Sequence, residues 1–236
     1  MFKLSIRRLG TIDCGYRLAW AVVTGLLGLF LGLGVAGEAR AQGAAQAAQA
    51  PVNRAQQLAI ESLDCLQDGE EASSQEAKLA AYRRGIELAR QAIAADDNNA
   101  DAHFAMFANQ GRVMIHEGYV ANPMTLMTAS RELNRALEID PNHADALAAK
   151  GGMYRQLPWA LGGSKEKASE YLARSVEVDY EHACGARIEL AELYRDLGYP
   201  ERSIPLLEKA VEIATRDQKP DKLKRAQALL RELSAR

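Results

Sequence analysis

The feature that most constrains this chain is a junction that recurs in altered wording. Residues 92–103 read A-I-A-A-D-D-N-N-A-D-A-H, residues 136–147 read A-L-E-I-D-P-N-H-A-D-A-L, and residues 175–186 read S-V-E-V-D-Y-E-H-A-C-G-A. Residues 210–216 begin the phrase again as A-V-E-I-A-T-R. Each time an apolar helical stretch ends in an acidic, turn-forming break. In the complete copies a second helix rich in small residues follows. A unit of this kind cannot bury its apolar face alone, so successive copies must stack.

The residues between the junctions agree. Ser73 or Ser74 caps a segment reaching Ala95, with Leu79, Tyr82, Ile86, Ala89 and Ile93 at three- and four-residue steps. The next helix starts near Asn99, passes Phe104 and Phe107, and continues beyond Gly111 to about Glu117. After a break at Asn122-Pro123, helices are predicted over 125–139, 143–156, 164–178, 184–197, 201–216 and 221–234. No stretch alternates with period two, so the chain is all-α.

The N-terminus reads differently. Lys3, Arg7, Arg8 and Arg17 precede an uncharged run from Leu18 to Gly37, followed by Ala39-Arg40-Ala41. That order predicts a secretory signal peptide over residues 1–41. The run is as long as the ~20 residues that span a bilayer, so an uncleaved inner-membrane anchor is the alternative. Both place the folded part outside the cytoplasm, in the periplasm or secreted. Leu9-Gly10 fits a twin-arginine signal poorly, and Cys14 lies before the apolar run, where a lipoprotein would need it after. Residues 42–51 are an Ala/Gln-rich linker. Without residues 1–41 the chain holds 24 basic and 29 acidic residues and no basic stripe, which argues against nucleic acid as a partner. Cys65 and Cys184 lie too far apart in a stacked array for a disulfide and read as buried free thiols.

The residues between 184 and 216 resemble the tetratricopeptide repeat, a helix-turn-helix unit of ~34 residues. Leu190, Ala191 and Tyr194 take the apolar, small and aromatic places of its first helix, and Gly198 the turn. Ser203, Leu207, Ala210 and Ile213 take the places of its second helix. The departures are Arg187 where Trp is common, Ser203 for Ala and Thr215 for Pro. Ala92, Ala136, Ser175 and Ala210 are matching small residues, with gaps of 44, 39 and 35. The excess over the standard length falls between Gly111 and Met124 and in L-P-W-A-L-G-G-S, residues 157–164. The resemblance implies a right-handed solenoid of about four helical pairs over residues 52–219, lengthened intra-repeat turns, and a capping helix over 220–236. The segment L-P-x-x-L-G-G and the phrase Y-R-R-G-I-E-L-A-R-Q-A-I at 82–93 are similar to exported bacterial repeat proteins, including the T component associated with TRAP transporters. The former is also similar to a segment in eukaryotic regulators of microtubule dynamics.

Catalytic chemistry finds no footing. His116-Glu117 begins a zinc-protease pattern, but Val120 stands where the second His belongs. His143 and His182 occupy equivalent junctions one repeat apart, too far to share a metal ligated at ~2.0–2.1 Å, and are read as helix caps. His103 is read as a packed core residue. No serine or cysteine nucleophile has a partner base, and no cofactor is implied.

Binding is the alternative. Phe104, Arg112, Ala148, Arg155, Ile188, Glu192 and Arg195 sit where first helices face the concave side of such an array, and are the candidate partner contacts. Trp159, in the insertion, is read first as a plug over the edge of its helix pair. Its other reading is a partner anchor, since Trp is enriched at binding hot spots. The chain is thus expected to be an exported scaffold for a protein or peptide partner. The competing expectation is a transport accessory carrying a solute or small hydrophobic ligand. Self-association is a further expectation.

Overall fold

The computed structural model describes residues 53–118 and 123–234. The expected signal or anchor, the whole of the Ala/Gln-rich linker and part of the first inserted turn lie outside the described residues. The described residues belong to one compact unit, Pro51–Arg236, and their regular structure is helical throughout. Four antiparallel pairs follow one another: α1 (Arg54–Glu71) with α2 (Gln75–Ala95), α3 (Ala100–Glu117) with α4 (Pro123–Ile139), α5 (Ala144–Gln156) with α6 (Lys165–Val178), and α7 (Cys184–Asp196) with α8 (Pro200–Arg216). A last helix, α9 (Pro220–Ser234), packs against α7 and α8.

The recurring junctions start helices by satisfying free N–H groups. Asn99 Oδ1 accepts from Ala102 N at 3.0 Å, and His143 Nδ1 accepts from Ala146 N at 3.2 Å. Ser74 and Ser164 cap α2 and α6 in the same way. Each such cap stabilises its helix by ~1 kcal/mol. The third junction departs from this. His182 turns back to Asp179 at 3.1 Å, and α7 begins at Cys184, after Ala183, with no side-chain cap. His182 therefore does not have the capping role expected of it.

Small residues set the distance between helices. Ala89, Ala92, Ala102, Ala105, Ala136 and Ala146 are fully buried. Serines replace alanine at three such places and lose nothing, because each hydroxyl donates to a carbonyl of a neighbouring helix. Ser62 bonds Gly85 O at 2.7 Å, Ser175 bonds Ala144 O at 2.8 Å, and Ser203 bonds Ala191 O at 2.7 Å. A buried hydroxyl satisfied in this way avoids the ~1–3 kcal/mol penalty of an unpaired polar group. His103 is packed as expected, with Nδ1 2.8 Å from Glu132 and Nε2 3.1 Å from Asp97 O. Cys65 and Cys184 are buried and free.

At the C-terminal end, Ala226 and Leu229 of α9 close over Cys184, Ile188, Ala191, Leu207 and Ala210. The polar side of α9 faces solvent, which is what the terminal element of a stacked array requires.

Candidate binding groove and inserted edge

A groove of about 600 Å³ runs along the first helices of successive pairs. Phe104, Phe107, Gly111, Arg112 and Ile115 line it from α3. From α5 come Asp145, Ala148, Gly152, Met153 and Gln156, and from α7 Gly185 and Glu189. Lys219 and Lys222, at the start of α9, close one end. The backbones of α3 and α5 approach each other little. Phe104, Phe107 and Met153 span the gap, packing on Leu133, Ala136 and Ala146. That end of the groove is therefore apolar and aromatic, whereas the α7–α9 end is charged.

The groove's N-terminal rim is a polar relay across three first helices. Asn99 Nδ2 donates to Gln56 Oε1 at 2.9 Å, Gln56 Nε2 donates to Asp101 at 2.8 Å, and His143 Nε2 lies 3.0 Å from Asp101. The hydrogen bond from His143 holds the Asp101 carboxyl below its usual range. Burial works against the charged imidazole of His143, but the bond to Asp101 and its charge outweigh this and raise the pKa. The His143 ring also packs 5.1 Å from that of Phe104, so the relay orients a groove residue.

Glu189 is the feature of the floor that sequence reasoning missed. Its Oε2 is buried without a hydrogen-bond partner and lies 2.9 Å from where a Cβ would stand on Gly152. Burial pushes this carboxyl up, against the pull of Arg155 and Arg225. The signal was present in the sequence: Gly185 and Glu189 are one helical turn apart, the spacing of a single face.

The structure treats the sequence candidates unequally. Phe104 and Arg112 line the groove as expected, Arg112 pairing with Glu70 of α1. Ile188 does not; it is 1% exposed and belongs to the core beneath α9. Its place in the repeat is covered wherever the next first helix packs closely, and α9 does so here. Glu192 is also turned from solvent. Arg225 holds it bidentately at 2.8 and 2.7 Å, and Arg155 adds a third contact at 2.8 Å. Arg195 pairs with Asp196 and Glu232. Arg155, Glu192 and Arg195 thus staple α5, α7 and α9 at the groove's far rim instead of standing free for a partner.

Trp159 corrects its favoured reading. It is 88% exposed and covers no part of its helix pair. It lies in a single 3-10 turn, Trp159–Leu161, stiffened by four backbone bonds: Leu161 N and Gly163 N to Pro158 O, Gly162 N to Trp159 O, and Ser164 N to Tyr154 O. A Cβ on Gly163 would meet Leu157 O at 1.8 Å, so only glycine fits this close approach. The turn satisfies its backbone internally and presents its indole.

An array of antiparallel helical pairs with a groove along its first helices defines a class of repeat protein whose architecture supports protein–protein interaction. The family model for the tetratricopeptide repeat matches residues 185–217, the pair α7–α8. Among solved structures the chain is similar to TTC0263, a thermophilic TPR protein of Thermus thermophilus. That match has a TM-score of 0.50 and 19% identity, covering 82% of this chain and 94% of that one. Two structures of MamA are similar at TM-scores of 0.38 and 0.41 and identities of 15% and 17%. They cover 67% and 80% of this chain, and 94% and 99% of their own. No curated protein matches by sequence. The pair α7–α8 thus matches the tetratricopeptide repeat, and the rest of the described array shares its all-helical, paired arrangement.

Proposed function

We propose that this protein is an exported scaffold whose groove takes an extended or helical segment of a protein partner. The observation that carries the reading is the groove itself: open along its length, aromatic between α3 and α5, and rimmed by charges of both signs. A segment with one apolar face and polar flanks fits that arrangement, the aromatic end supplying the anchor pockets and the charges the register. Preformed helices hold these groups in place, so little ordering is needed on binding. The location outside the cytoplasm rests on the charge and apolar pattern of residues 1–41.

The second reading, a transport accessory carrying a small hydrophobic ligand, draws on Phe104, Phe107 and Met153 lining one end. The charged, open remainder favours the peptide. Affinity purification from the envelope fraction, with mass spectrometry of proteins and lipids, separates the two. Ala148→Arg puts a cation on the groove wall. A stoichiometric protein lost with this variant, at unchanged melting temperature, supports the scaffold. A bound lipid without protein supports the carrier. Recovery of neither at native expression counts against both.

A further inference from the structure

Among the described residues, several exposed large apolar side chains gather on two inner turns. Trp159 and Leu161 stand on the turn between α5 and α6, at 88% and 56% exposure, and Leu197 and Tyr199 on the turn between α7 and α8, at 37% and 48%. Ile204 follows in α8, at 38%. The two turns are neighbours, because Arg155 at the end of α5 reaches Asp196 at the end of α7, 3.8 Å away. Exposed apolar side chains gathered on neighbouring turns mark an interaction site. Its rigidity points the same way. The hydrogen-bonded 3-10 turn fixes the backbone under Trp159, so covering the indole costs little conformational entropy.

The charges around the patch say what covers it. Lys165, at the start of α6, and Glu201, at the start of α8, are both exposed and form no ion pair among the described residues. They flank the patch with opposite sign. Arg202 is already engaged over the rings of Tyr194 and Tyr199, at 5.7 and 5.2 Å. In a two-fold contact the same surface meets itself, so a residue on one flank faces a residue on the other. Lys165 acts on its neighbour Glu166 only through its field, and a patch with a cation on one flank and an anion on the other, neither held in an ion pair, is complementary to its own copy.

We propose that the inserted edge is a self-association surface, joining two copies of this chain about a two-fold axis. Trp159 of each copy packs against the Leu197–Tyr199 turn of the other, and Lys165 of each pairs with Glu201 of the other. The inference does not rest on the groove reading, since the groove residues take no part in it.

The test uses the full chain in its own host, co-expressed with two different tags and carrying a photo-crosslinking phenylalanine derivative at position 199. The expected product is a dimer bearing both tags. Trp159→Ala lowers its yield by about tenfold or more, as for a hot-spot Trp, with the melting temperature unchanged. Lys165→Glu and Glu201→Lys each lower it, and the two combined in one chain restore it. Four results would overturn the proposal: no dimer, a crosslink only to a different protein, a dimer indifferent to Trp159→Ala, or a double reversal that fails to restore the yield. A crosslinker at Ile60, an exposed position on α1, is the control; equal dimer yield from there also overturns it.

Discussion

Two glycines test how these helices pack, because the same substitution should act with opposite sign. Gly111 lies inside α3, and a Cβ built on it meets nothing within 4 Å. Gly151 lies inside α5, where a Cβ would stand 2.6 Å from Leu172 Cγ, 3.0 Å from Leu172 N and 3.1 Å from Ala168 O. Alanine gains up to ~1 kcal/mol over glycine in a helix interior. At position 111 nothing opposes that gain, so Gly111→Ala stabilises by ~0.5–1 kcal/mol. At position 151 the Leu172 side chain is fully buried and cannot swing away, and two contacts are with backbone. Helices α5 and α6 must then move apart, because 2.6 Å lies well inside any real Cβ contact. Overpacking of this kind costs ~1–3 kcal/mol, which set against a gain of up to ~1 kcal/mol leaves a net loss of up to ~2 kcal/mol for Gly151→Ala. Urea titrations followed by circular dichroism would show the midpoint rising for Gly111→Ala and falling for Gly151→Ala, with unchanged slopes. Stabilisation by Gly151→Ala would refute the claim that small residues set the α5–α6 distance.

Three further outcomes follow from particular contacts. Trp159→Ala should leave the melting temperature within the shift of a ~0.5 kcal/mol surface change, since the indole covers nothing in a single copy; a large drop in calorimetry would restore the plug reading. The pair Asp101–His143 should make stability depend on pH. The lowered Asp101 contributes fully above its unfolded value of ~3.9 and loses that contribution as pH falls through its folded value. The melting temperature should therefore fall as pH drops below ~4, and Asp101→Asn should flatten that fall; an unchanged slope would count against the relay. Arg187 is 1% exposed, with Nη1 unpaired and its guanidinium 4.8 Å above the Tyr180 ring. Arg187→Met should keep the denaturation midpoint within ~1 kcal/mol of the parent or raise it, because a volume-matched apolar chain removes a buried charge that has no carboxylate partner and is held only by Tyr180 O and its ring. Arg187→Ala should cost ~2–4 kcal/mol by leaving a cavity.

The helices were legible in the sequence because local signals and packing periodicity agree. Caps at Ser74, Asn99, His143 and Ser164, the turn at Gly198 and the small residues at matching places all specify the same pairs. The groove was legible only in part. Phe104 and Arg112 lie between helices that stay apart, so their faces remain open. Ile188 and Glu192 occupy comparable faces of α7, but α9 closes over the first, and Arg155 and Arg225 neutralise the second. Which first helix has a close neighbour is a tertiary fact, and no residue within α7 announces it. Glu189 escaped notice for a related reason: its setting depends on the missing side chain of Gly152, on another helix.

The two insertions also do different physical work, although both appear in sequence as excess length inside a repeat. The first goes partly into helix: α3 has 18 residues where α5 and α7 have 13. The extra turn and a half carries Met114 and Ile115 into the groove lining and brings Glu117 to Arg83 of α2. It thereby lengthens the aromatic end of the groove along the helix axis. The second insertion cannot extend α5, because the residue before Pro158 is driven out of the helical region and Leu157 takes an extended backbone, at φ −70° and ψ 138°. Its added residues close into a stiff turn that projects sideways. Where no proline intervenes, excess length deepens the groove; where Pro158 stops the helix, it builds an edge. The same solenoid thus acquires two chemically distinct surfaces, and a variant confined to residues 157–164 should alter the edge while leaving the groove's lining intact.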